Sequence, residues 1–227
     1  MTTTTLSYPS ASEINSAMGR VYTHMMLAVL TSMIVSGLIA SSPAVLAFFF
    51  TGFMKWIVIF APLAAIFAIT FALASDPPRS VAVAMLHGFA ALMGISMAAI
   101  FAVFTTASVT TAFMGAVVLF GVLSAYGYFT KQSLDSWGKY LLVAVIALII
   151  TSIINVFLGS SLLQMIVSAA GVVVFLGLTA YDTQKIREQL MEGSASPSVE
   201  VQGALTLYLD FINLFISLAQ LLGVKKE

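Results

Sequence analysis

Seven apolar runs follow one another along the 227 residues, predicted at about 21–41, 53–74, 81–104, 110–130, 140–159, 162–182 and 203–223. Each is close to the roughly 20 residues a helix needs to cross a bilayer. Short polar breaks separate them. Ser42-Pro43 follows the first run, and Asp76-Pro77-Pro78-Arg79 divides the second from the third. Thr105-Thr106 marks the next division by polarity alone, and residues 131–139 carry the one after it. Gly159-Ser160-Ser161 is a tight turn, which predicts an antiparallel hairpin of the fifth and sixth spans. The long connection, 183–202, begins with a helical stretch, so the sixth helix is expected to run on past the bilayer. The first loop, with Phe48-Phe49-Phe50, leaves its own edges open. Ser10 and Glu13 fit a capping box, and Ile14, Met18 and Val21 continue an apolar face, predicting a short surface helix ahead of the first span.

The last run differs from the others. Thr206, Asp210, Asn213, Ser217 and Gln220 interrupt it, and at about 100° per residue they fall within a sector of roughly 80°. A carboxylate in a membrane helix costs about 2.5–3.5 kcal/mol even on the lenient insertion scale. Such a stripe is expected to face protein, which makes this the helix the others surround. The predicted fold is all-α and polytopic, with seven transmembrane helices and the seventh central. Its divisions are an amino-terminal segment 1–20, a transmembrane domain 21–223 and a tail 224–227.

Composition adds the class. The chain is 60% hydrophobic and 8% charged, with mean hydropathy +1.07; soluble domains carry about 25% charge. Net charge is zero, so nothing points to nucleic acid. The absence of cysteine removes disulfides and thiolate chemistry. Residues 1–20 are polar, without the basic and apolar stretches of a cleavable signal. Among short-loop charges, Arg20, Arg79, Lys131, Lys139, Lys185 and Arg187 fall on one side and Lys55, Lys225 and Lys226 on the other, which predicts a cytoplasmic amino terminus. Compact loops without cysteine suit a bacterial inner membrane. Trp56, Trp137 and Tyr140 fit an interfacial belt. Gly121 and Ala125, with Gly115 and Gly127, read as a small-residue helix contact.

Chemistry concentrates in two acids. Asp182 closes the sixth span; Asp210 lies seven residues into the seventh, roughly 10 Å deep. Consecutive helices usually neighbour one another, so the two carboxyls can meet. In a dry site they do not both ionise easily and are expected to share a proton, a device that senses pH near neutrality. Deprotonated, they offer hard oxygen ligands for Ca²⁺, a sparse and weak site without an EF-hand loop. Asn213 and Ser217 are supporting polar groups, and Arg79 is either a topology determinant or a counter-ion for the pair. His24 and His87 have no metal-binding spacing and read as buried, hydrogen-bonded histidines; Asn155 reads as a polar helix contact. No phosphate loop and no Ser-His-Asp arrangement is present, and no cofactor is implied.

Ala180-Tyr181-Asp182-Thr183-Gln184-Lys185-Ile186 and Leu207-Tyr208-Leu209-Asp210-Phe211-Ile212-Asn213-Leu214-Phe215 resemble the Bax-inhibitor family of membrane proteins. Length and the seven-span layout extend the resemblance over the whole chain. It implies six helices around a central seventh and a pH-sensitive Ca²⁺ leak gated by an aspartate pair, here Asp182 and Asp210. It also implies basic residues near the second helix that latch to the pair; Asp76-Pro-Pro-Arg79 departs from that pattern. Some bacterial members modulate a membrane-bound quality-control protease, which gives an alternative, non-conducting role. Intramembrane aspartyl proteases also carry Tyr-Asp on one helix, as in Tyr181-Asp182, but need Gly-x-Gly-Asp on the next, where this chain has Leu207-Tyr208-Leu209-Asp210.

Overall fold

A computed structural model describes residues 9–192 and 196–226. Among these residues there are eight helices: α1 Ala11–Ala40, α2 Pro43–Phe50, α3 Met54–Leu73, α4 Arg79–Val103, α5 Thr106–Phe129, α6 Asp135–Leu158, α7 Ser161–Met191 and α8 Pro197–Leu222. All but α2 are long and apolar enough to cross a membrane.

Local chemistry sets the boundaries. The Ser10 hydroxyl accepts from the Glu13 amide while Glu13 accepts from the Ser10 amide, closing the expected capping box. The helix it starts is continuous with the first span, so the separate surface helix is corrected to one 30-residue α1. Ser42 caps α2 with Pro43 in its first turn, and the aromatic first loop is thereby helical. Ser160 caps α7 and Ser196 caps α8. Gly159 ends α6 at φ 63, a left-handed conformation that favours glycine and makes the α6–α7 hairpin sharp. As expected, α7 runs on beyond Asp182, to Met191.

The bundle has two ends, named here for Lys185 and Gly159. Helix α8 is the axis: 61% of its most apolar stretch is buried, against 6% for α6, and it packs against α1, α3, α4, α5 and α7. Leu214 and Leu218, off the polar stripe, are buried as fully as the residues on it. The outer surfaces carry exposed apolar side chains, among them Phe71 at 84% and Val173 at 70%, as a lipid-facing surface requires. Interhelical hydrogen bonds reinforce the packing: Ser32 of α1 bonds the Tyr208 hydroxyl of α8 at 2.7 Å and donates to the Ala90 carbonyl of α4 at 2.7 Å. After α8 the chain turns along the α4–α5 connection. There Thr105 N–H donates to the Val224 carbonyl and Lys226 N–H to that of Val103, both at 2.9 Å. This contact puts the carboxyl-terminal segment at the Gly159 end, opposite the start of α1.

The small residues of α5 are corrected in part. Gly127 meets α7 so closely that a Cβ there would lie 2.9 Å from both Cα and C of Ala180. Gly121 has nothing within 4 Å of a Cβ position, and both it and Ala125 are exposed. They line a furrow instead of a helix contact.

Candidate functional site

Antiparallel α7 and α8 form the site, and small residues bring them together. A Cβ on Gly203 would lie 3.0 Å from Ile186 Cγ2, and one on Gly171 would lie 2.5 Å from Ser217 Oγ. Between these close approaches the same register brings Asp182 opposite Asp210, and their side chains lie within hydrogen-bonding reach. Asp210 is buried at 4% exposure. Its Oδ2 is enclosed and accepts no hydrogen bond from any described donor. A proton held between the two carboxyls is the group that would satisfy it. Asp182 and Asp210 thus face one another across α7 and α8.

Beyond Asp210 the stripe continues toward the Gly159 end. Asn213, Ser217 and Gln220 line a cavity of about 380 Å³ shared with Ser152 of α6, Gln164 and Ser168 of α7 and apolar residues of α3. Gln164 Nε2 donates to Gln220 Oε1 at 2.7 Å, Ser168 Oγ donates to the same oxygen at 3.0 Å, and Asn155 Nδ2 donates to Gln164 Oε1 at 3.2 Å. Asn155 is thus a polar helix contact, as its sequence context suggests. Thr206 bonds the carbonyl of Gln202 in its own helix. The stripe faces protein at Asp210 and Ser217 and is half-buried at Thr206, Asn213 and Gln220, with carboxyls toward one end and carboxamides toward the other.

Arg79 is not beside the acid pair. Its guanidinium lies 3.8 Å from Glu200 Oε2 and 3.3 Å from His24 Nε2. Glu200, 4% exposed, is held mainly by Arg20: Nε donates to both carboxylate oxygens at 3.0 and 2.9 Å, and an Nη donates to Oε1 at 2.5 Å. This ion pair joins the Lys185 ends of α1 and α8 and was not legible in sequence. In sequence Glu200 falls in the connection 183–202, ahead of the predicted last span, and its partner is 180 residues away. Both histidines are hydrogen-bonded, His24 through Nε2 to Arg79, but each is half-buried and not fully buried as expected. His87 Nδ1 bonds Thr31 at 2.9 Å, whereas His24 Nδ1 is buried without a described partner. Among the described residues no group of three or more His, Cys, Asp or Glu side chains is placed to hold a metal ion.

Residues 14–227 match the family described as "Inhibitor of apoptosis-promoting Bax1". The chain is 37% identical over 215 residues to the inner membrane protein YbhL of Escherichia coli K12, covering 92% of each protein. It is 35% identical over 233 residues to the uncharacterised protein RP147 of Rickettsia prowazekii, covering all of this chain and 97% of that one. A Deinococcus radiodurans protein is 39% identical over 161 residues, 70% of this chain and 69% of the relative.

Proposed function

The chain belongs to the Bax-inhibitor family of membrane proteins, and from that premise we propose that it is a pH-sensitive Ca²⁺ leak whose gate is the Asp182–Asp210 pair. The observation that carries this reading is the meeting of two carboxyls inside the bundle with one oxygen enclosed and unpartnered. With one proton between them the two side chains tie α7 to α8. Loss of that proton leaves two like charges. At about 4 Å and an effective dielectric near 20 they repel by about 4 kcal/mol, enough to push α7 and α8 apart. The same two carboxylates then offer hard oxygen ligands to Ca²⁺, which is the transported ion and not a resident metal. On this reading the ion passes from the pair toward the Gly159 end through the cavity whose polar lining is Asn213, Ser217, Gln220, Ser152, Gln164 and Ser168.

We place the protein in a bacterial inner membrane with its amino terminus cytoplasmic. The support is the similarity to an inner membrane protein of Escherichia coli and the excess of Lys and Arg at the Lys185 end. We assign it no catalytic role. Asp210 follows Leu207-Tyr208-Leu209 rather than the glycines an aspartyl protease requires, and Tyr208 is committed to Ser32.

The test is Ca²⁺ uptake into liposomes containing the purified protein between about pH 6 and 8. Asp210→Asn removes both the repulsion and the coupling, so flux is expected to lose its dependence on pH across that range. Asp182→Asn should do the same. If both variants keep the wild-type profile, the pair is not the gate and modulation of a membrane-bound protease becomes the better reading.

A further inference from the structure

Two cavities meet at Tyr128, at the Lys185 end of α5. The first is a furrow of about 460 Å³ between α1 and α5, walled by Met18, Tyr22, Phe120, Gly121 and Ala125. The backbones of α1 and α5 do not come into contact. They are joined across the furrow by two side-chain hydrogen bonds, Tyr22 to Ser124 at 2.5 Å and Tyr128 to Asn15. Nothing lies within 4 Å of a Cβ at either Gly19 or Gly121, so outside these two bonds the furrow opens to the surface of the bundle beside both glycines; its α5 wall runs from Phe120 to Phe129, roughly 14 Å of helix. The second cavity, about 480 Å³, shares Tyr128 and Phe129 with the first and is lined by Lys131, Arg187 and Glu188.

The charges in the second cavity are unbalanced. The Arg187 guanidinium lies 5.1 Å from the centroid of the Tyr128 ring, and its Nε is buried without a hydrogen-bond partner. The ion pairs among the described residues involve Arg20, Arg79 and Lys185, not Arg187 or Lys131. The carboxylate in the cavity, Glu188, is itself engaged by Lys185 at 3.6 Å. A buried guanidinium N–H without an acceptor is a costly arrangement unless an acceptor arrives from outside the chain. Planar guanidinium suits phosphate oxygens in particular.

We propose that these two cavities form one site for an anionic phospholipid, with its phosphate on Arg187 and Lys131 and one acyl chain lying in the α1–α5 furrow. Charge selects the headgroup, and Tyr128 divides the polar seat from the apolar one. Gly121 and Ala125, which approach no helix, are small because the chain of the lipid occupies the space their side chains leave. The site does not depend on how the acid pair works, since neither Asp182 nor Asp210 lines either cavity.

The experiment is native mass spectrometry of the full chain released in mild detergent from vesicles of phosphatidylglycerol and phosphatidylcholine. The wild type should retain one phosphatidylglycerol under conditions that strip phosphatidylcholine. The Arg187→Gln/Lys131→Gln double variant and Gly121→Leu should each weaken retention at least tenfold, and soluble glycerol phosphate should not compete. Ala125→Leu fills the same furrow and replaces Gly121→Leu in the test if that variant does not fold. Equal retention of phosphatidylcholine overturns the charged seat, as does unchanged retention in the double variant. Retention that survives a filled furrow but yields to glycerol phosphate makes this a free-phosphate site and overturns the lipid assignment.

Discussion

Gly127→Ala is the sharpest test of how α5 is held against α7. The added methyl would sit 2.9 Å from two backbone atoms of Ala180 and nearer still to that residue's carbonyl oxygen. Carbon atoms settle at about 3.5–4.0 Å, so the helices must separate by roughly 1 Å. The neighbour is backbone and cannot rotate aside as a side chain could. Overpacking of this kind costs about 1–3 kcal/mol, and the immovable partner puts Gly127 at the upper end, about 3 kcal/mol. The better helix propensity of alanine offsets up to about 1 kcal/mol. The net loss of about 2 kcal/mol corresponds to a fall of about 4–8 °C in the unfolding midpoint for a chain of this size. The comparison is Gly88→Ala on α4, where a Cβ meets nothing within 4 Å. Both variants should be melted in the same detergent, with tryptophan fluorescence as the readout. If Gly127→Ala melts with Gly88→Ala, the close approach is not a constraint on the bundle.

Glu200→Gln removes the negative charge and one of the two acceptor oxygens that Arg20 and Arg79 share. Both arginines are 42–49% exposed and regain water, so the midpoint should fall by an amount equivalent to about 1–2 kcal/mol, and Arg20→Gln/Glu200→Gln should be no worse than the single change. Because the chain has no cysteine, Gln189→Cys, exposed near the end of α7, gives a clean orientation probe. A membrane-impermeant maleimide should label it in intact cells only after permeabilisation, and ready labelling beforehand reverses the proposed orientation.

What sequence made legible was what periodicity and covalent neighbourhood determine. Seven spans, the polar stripe of α8, the α6–α7 hairpin at Gly159 and the extension of α7 all follow from patterns within one helix or one turn. The Asp182–Asp210 pair could be anticipated because α7 and α8 are consecutive and both acids lie at similar depth. Contacts between distant helices left no such signal. Arg20 and Glu200 each look like a residue at a helix end, and their bond needs the packing of α1 on α8. Gly121 and Gly127 belong to the same small-residue series, six positions apart. One touches α7 and the other opens onto a furrow. That difference is set by where α7 lies, which α5 alone does not encode. Ser194, a second position for the orientation probe, falls outside the described residues.

The central place of α8 has a consequence for biogenesis. The five spans that pack against it, and α6 behind α7, are all synthesised before it. At about 5–20 residues per second, the 180 residues separating Arg20 from Glu200 take about 9–36 s to make. Throughout that interval Ser32 and Arg20 of α1 wait without their α8 partners, and the inner faces of α1, α4 and α5 have no axis to close on. The earlier helices can pair among themselves, as α1 does with α4 through Ser32 and Ala90, but the faces they turn to α8 stay open until it arrives. Completion of this bundle is a single late event, the insertion of one helix among six already present, and a ribosome stalled before α8 would leave a membrane-embedded but incompletely assembled intermediate for quality control to clear.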